Sequence, residues 1–144
     1  MADTPAQGYA IDELQVGMSA AYERVVTTAD IEAFAAVSGD HNPVHLDDAY
    51  AKTTLFKGRI AHGMLGASFI STAIASKLPG PGSIYLAQNL AFKRPVRPGD
   101  KVETRITVTA INREKGQAIL KTQCLVGETV VIDGEATVLA PRRS

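Results

Sequence analysis

"HGMLGASFISTAIASKLPGPG", residues 62–82, decides the fold. The run is apolar on nearly every side, and small residues (Gly66, Ala67, Ser68, Ser71 and Ala75) alternate with large ones, so the spacing predicts a buried helix. Lys77, Leu78 and Pro79 end it. The wider apolar stretch from Ile60 to Ala75 is broken by His62, Ser68, Ser71 and Thr72 and is shorter than the roughly 18 residues a membrane span needs. A core helix is the reading that remains.

Downstream the period changes from helical to two. Ile84, Leu86, Leu90 and Phe92 fall on one face of a strand, as do Val102, Ile106, Val108 and Ala110 on the next. Ala118, Leu120, Cys124 and Val126 face inward on a third strand, and Val130, Ile132, Ala136 and Val138 on a fourth, joined at "VGET" by a Gly-X pair suited to a hairpin. "KRPVRPGDKV", residues 93–102, carries two prolines and a glycine and separates strands rather than domains. Upstream, a strand is expected near Ser19 to Val26, then a helix in "TADIEAFAAVSG" capped by Thr28, with Ile31, Phe34 and Val37 on its inner face and Gly39 ending it. "DDAYAKT" predicts a short helix begun by Asp47. The fold class is α+β, a curved antiparallel sheet wrapped around one long central helix, and its open edges predict pairing with a second copy.

The chain has 144 residues, 45% of them apolar, which fits one domain: a flexible segment 1–13, then a single domain 14–144. Fifteen basic and fifteen acidic side chains give zero formal charge, so neither nucleic acid nor a membrane surface is an expected partner. The lone Cys124 excludes an internal disulfide framework, and "MADTPAQGYAID" has no basic-then-apolar signal pattern, so a cytoplasmic location is expected.

"SGDHNPVHLD", residues 38–47, concentrates the polar chemistry. Pro43 disfavours the helical region at Asn42, so Asn42 should be extended and His41 and His45 should not share a helical face. A metal site from His41, His45 and Asp47 is thereby weakened, and His41 is expected in solvent. Asp40 and His45 flank a short stiff loop that can hold a carboxylate and an imidazole toward one water molecule, with Asn42 fixing the turn. On residue types alone the loop is equally readable as a polar cap with a satisfied histidine. In "AHGML", residues 61–65, Gly63 opens the long helix, where N–H groups are unsatisfied and a ligand can approach the backbone. Its N–H could receive a carbonyl oxygen that becomes an enolate, or the glycine could serve packing alone. His62 is assigned no chemistry.

"FAAVSGDHNPVHLDDAYA", Phe34 to Ala51, resembles the hydratase-2 signature of the MaoC-like (R)-specific enoyl-CoA hydratases, and "FKGRIAHGML" and "FKRPVRPGD" extend the resemblance from about residue 14 onward. The resemblance implies a hot-dog fold, a homodimer, and syn hydration of trans-2-enoyl-CoA to (R)-3-hydroxyacyl-CoA without cofactor or metal. It implies that Asp40 and His45 are the catalytic pair, Gly63 the oxyanion N–H and Ser71 a supporting hydroxyl, with Asn42 also facing the substrate. Met64, Leu65 and Ile74 are candidate acyl-pocket walls, and Lys93, Arg94 and Arg97 candidate contacts for CoA phosphates. The alternatives are a 3-hydroxyacyl-thioester dehydratase acting on acyl carrier protein, or an acyl-thioester-binding module without turnover.

Overall fold

A computed structural model describes residues 4–143. Strand β1 (Ser19–Val25) is followed by helices α1 (Thr28–Ser38), α2 (Pro43–Leu46), α3 (Asp48–Lys52) and α4 (Gly63–Ser76), and then by strands β2 (Ile84–Phe92), β3 (Lys101–Asn112), β4 (Gln117–Val126) and β5 (Thr129–Leu139). The five strands form one antiparallel sheet in the order β1-β3-β4-β5-β2. The predicted helix, strand count and antiparallel pairing are all present, and the "VGET" connection is the two-residue loop between Val126 and Thr129.

The core lies between α4 and the sheet. Phe69, Ile70, Ala73 and Ile74 of α4 meet Ile106, Val108, Leu120, Ala136 and Val138, all buried. Tyr22 of β1 meets Phe69 edge-on at 6.0 Å between ring centroids. Burying the three large side chains, Phe69, Ile70 and Ile74, stabilises the domain by about 1.5–3 kcal/mol each, which is why α4 is held to the sheet despite its many small residues.

Several inner-face expectations are corrected. The cap of α1 is Thr27, one residue earlier than expected, and its side chain accepts the Asp30 N–H. Val37 lies on the solvent side of α1, 83% exposed. Ala110 is exposed because a bulge after Val108 shifts the register, and Ile111 turns toward the core instead. A second irregularity between Cys124 and Leu125 buries Val131 and leaves Val130 half-covered. β2 is the largest correction: Ile84, Leu86 and Phe92 are 57, 45 and 52% exposed. It is an edge strand, hydrogen-bonded only to β5, so its alternation has no second layer of this chain behind it. The helix α4 is likewise open along one stripe, with Met64, Ser68, Ser71 and Ala75 exposed.

The start of the chain is also firmer than the predicted flexible segment 1–13. Residues 1–3 lie outside the described part, but Tyr9 and Ile11 donate backbone hydrogen bonds to the carbonyls of Pro79 and Pro141. Ile11 and Leu14 are fully buried, and Glu13 pairs with Arg143. Apolar side chains with that much area to bury dock the segment onto the domain.

Candidate active site

The loop after α1 is built from short-range hydrogen bonds. Gly39 takes the left-handed conformation, φ 80°, and its N–H returns to the Ala35 carbonyl, ending α1. Asp40 Oδ1 accepts the Asn42 N–H at 3.1 Å, and Asn42 Oδ1 accepts the Val44 N–H at 3.2 Å. Asn42 is extended, as Pro43 requires, but the "stiff loop" beyond it is one turn of helix, α2, with Pro43 at its first position where the missing N–H costs nothing. Asp47 then caps α3, accepting the Tyr50 N–H as expected.

His45 sits in that turn, 8% exposed. Its Nδ1–H donates to the Ile60 carbonyl at 2.8 Å, which fixes the tautomer and leaves Nε2 bare. Arg59 Nε donates to the His45 carbonyl at 2.7 Å and holds the turn from outside. His62 occupies the N-cap position of α4, with its side chain turned to the loop rather than to the helix N–H groups. Its Nε2–H donates to the Asp40 carbonyl at 3.0 Å, and its ring stacks on His45 at 3.9 Å between centroids, 26° from parallel. One donor atom from each of Asp40, His45 and His62 lies within 4.8 Å of the other two, so this trio is chemically able to ligate a divalent ion. It is a different set from the His41, His45 and Asp47 considered in the sequence, and His41 stands in solvent.

No side chain caps the start of α4, so the Gly63 N–H is open at the positive end of the helix dipole. A cavity of about 470 Å³ lies here, lined by Asp40, His45, Gly63, Met64, Phe92 and Arg94 among others. A Cβ on Gly63 would stand 2.7 Å from the Phe92 ring, so any larger residue there must displace that half-exposed side chain. Met64 is shared with a second cavity of about 540 Å³, lined by Phe34, Ser68, Ser71, Gln88 and Leu90. At its far end the Tyr85 hydroxyl donates to Gln88, whose amide donates to Thr122 Oγ1 at 2.9 Å. Burial raises the Tyr85 pKa and that of the Cys124 thiol, so both stay protonated and neither offers a nucleophile.

The structure thus brings Asp40, His45 and Gly63 to one cavity and puts Ser71 in the next, with Met64 between. Asn42 lines neither cavity, because its side chain is used as the α2 cap. Leu65 and Ile74 are corrected from pocket walls to core, since they project from the sheet-facing side of α4. Lys93 and Arg94 border the first cavity, whereas Arg97 is engaged with the Phe56 carbonyl. Arg59 and His62, neither of them assigned chemistry from the sequence, hold the backbone carbonyls of His45 and Asp40. Their signal was available as the polar residues that interrupt an otherwise apolar stretch.

Fold and site together define a hot-dog domain in which a carboxylate–imidazole pair faces a helix N-terminus across a cavity. The family model for the MaoC like domain matches residues 13–131. The chain is 48% identical to an (R)-specific enoyl-CoA hydratase of Rhodospirillum rubrum, covering 92% of both chains, and 41% identical to a 3-hydroxybutyryl-CoA dehydratase of Methylorubrum extorquens, covering 92% of this chain and 84% of that one. The R-hydratase PhaJ1 from Pseudomonas aeruginosa, solved in its unliganded form, superposes with a TM-score of 0.90 at 47% identity, covering 94% of this chain and 88% of that one. This chain belongs to the MaoC-like domain family.

Proposed function

We propose that this protein is a hydro-lyase that adds water to trans-2-enoyl-CoA to give (R)-3-hydroxyacyl-CoA, and runs the reverse dehydration. The observation that carries the reading is the convergence of the Asp40 carboxylate and the bare face of His45 on one cavity wall, opposite the open N–H of Gly63. Hydration needs a group to take a proton from water, a proton for C2, and a donor for the thioester oxygen. Asp40 and His45 hold one water, which donates toward both. As its oxygen bonds to C3, the pair takes one proton. The C2–C3 electrons move toward the thioester, whose oxygen carries the developing charge against Gly63. The pair then returns one proton to C2 from the same face, and ends in its starting state. It acts as one coupled unit.

The thioester lies against Gly63 in this reading and the acyl chain passes Met64 toward Ser71. The homodimer belongs to the same reading, supported by the uncovered edge strand β2 and the open stripe of α4, and no metal is required. So does a cytoplasmic location, supported by a single buried free thiol; among the described residues no helix is long and apolar enough to cross a membrane. The test is hydration of crotonyl-CoA and longer enoyl-CoAs followed at the enoyl-thioester absorbance, with chiral analysis of the product. An (S) product, or no turnover of any chain length, refutes it. Light scattering of the active protein should give twice the chain mass.

A further inference from the structure

We infer that His62 is a positioning residue that registers the acid–base pair against the oxyanion donor, an inference that rests on the roles given above to Asp40 and His45. Three contacts converge on it. Its Nε2–H holds the backbone carbonyl of Asp40, its ring lies flat on that of His45, and its other neighbour is Phe34 of α1, with ring centroids 4.9 Å apart and a tilt of 54°. The next residue along the chain is Gly63. One side chain, at the cap position of α4, therefore touches α1, the Asp40 loop and α2, and is covalently joined to the N–H that faces them.

Packing does not explain why this residue is a histidine. His62 is 3% exposed, and its Nδ1 is buried with no hydrogen-bond partner. Burying an unpaired acceptor is unfavourable, and a phenyl ring would fill the same layer between Phe34 and His45 without it. What a phenyl ring cannot do is donate to the Asp40 carbonyl. The unpaired Nδ1 follows from that contact, because a neutral imidazole that spends its one N–H at Nε2 has a bare nitrogen on the other side. The donor fixes where the Asp40 carboxylate starts from, and the stacked face fixes the plane in which His45 presents Nε2. Displacements of about 1 Å in such groups cost up to about 100-fold in rate, so a residue that touches no substrate can still limit turnover.

The experiment compares His62→Phe, which keeps the ring layer and loses the donor, with His62→Gln, which keeps an N–H near the Nε2 position and loses the stack. For each, kcat and KM on crotonyl-CoA and the melting temperature are measured on one preparation, and the His45 imidazole nitrogens are observed by NMR. The expected result for His62→Phe is a melting temperature equal to or above that of the unaltered protein, with kcat down about 10- to 100-fold and KM nearly unchanged. His62→Gln should keep more activity than a third variant, His62→Ala, and should shift the His45 ring signals. Full kcat per folded molecule in His62→Phe overturns the inference, as does a loss confined to KM. Asp40→Asn and His45→Gln run alongside: if either retains turnover, the pair itself is misassigned. If both lose it while His62→Phe does not, the inference about His62 fails alone.

Discussion

Asp30 and Asp40 are carboxylates at the two ends of α1, and the protein treats them in opposite ways. Asp30 has both oxygens occupied: Oδ1 accepts Arg24 Nη2 at 2.7 Å, and Oδ2 accepts Arg24 Nε at 3.3 Å and the Thr27 N–H at 3.1 Å. The Arg24 guanidinium, helped by the Thr27 N–H, holds its pKa below the ordinary carboxylate value. Asp40 accepts one backbone N–H, from Asn42, and borders a cavity. A carboxylate saturated by donors holds a helix end in place, and one given a single donor is oriented but still free to accept a proton. The same distinction separates the ring nitrogens of His45, one spent on the Ile60 carbonyl and one left bare.

The comparison breaks most visibly if the free carboxylate proves dispensable. Asp40→Asn and His45→Gln should each lower turnover by about two orders of magnitude or more, with melting temperatures close to that of the unaltered protein. Rates within a few-fold of normal would show that oriented but unsaturated groups can be idle. Exhaustive dialysis against a chelator tests whether Asp40, His45 and His62 work as ligands rather than as acid and base. Activity should persist, and a loss restored by a divalent ion would reassign the trio.

A smaller effect is expected across the cavity. Gly63→Ala keeps the N–H but sets a methyl group beside it, and should weaken transition-state binding by about 2 kcal/mol, somewhat less than outright loss of an oxyanion donor. The new methyl group also meets Phe92, so the informative measurement is the double variant with Phe92→Ala, which removes the clash. If the double variant recovers full turnover, Gly63 matters for packing alone.

Asp30→Asn should do the reverse of Asp40→Asn. It should leave kcat unchanged and cost less than about 1 kcal/mol of stability, because an amide oxygen can still accept the Thr27 N–H and the ion pair that is lost, to an Arg24 side chain 45% exposed, is screened. Since folding lowers the Asp30 pKa, its stabilisation is complete above the unfolded value, about 4, and is lost as pH falls through the folded one. Urea unfolding across the acid range should therefore show a shallower pH slope in the variant than in the parent protein.

Much of this architecture was legible in residue order, and the exceptions share a cause. Gly39 and Asp47 act locally, so their roles as helix stop and helix cap could be read directly. Thr27 and Thr28 are both able to cap, and only the reach of Asp30 back to the Thr27 N–H separates them. Alternation in β2 identifies a strand, but whether its apolar side chains are covered depends on what lies beyond the edge of the sheet. The direction in which Leu65 and Ile74 point depends on where the strands pass α4, which no local pattern contains. At the candidate site, Asp40 and His45 are five positions apart, so their meeting at one cavity is legible in the sequence. His62 reaches Asp40 across 22 positions of chain, and that contact is not.

The strand order has a consequence for how the protein is made. β3, β4 and β5 are neighbours both in sequence and in the sheet, joined by tight hairpins at Asn112 to Gln117 and Val126 to Thr129. Such local pairings close quickly, whereas β1 must find β3 and β2 must find β5 across long intervening segments. Residues 40–63 therefore leave the ribosome before any part of the meander that gives α4 a surface to rest on. Until the last third of the chain has been synthesised, α4 and the apolar β2 have no sheet to pack against, so the cavity wall they form beside Asp40 and His45 is completed last.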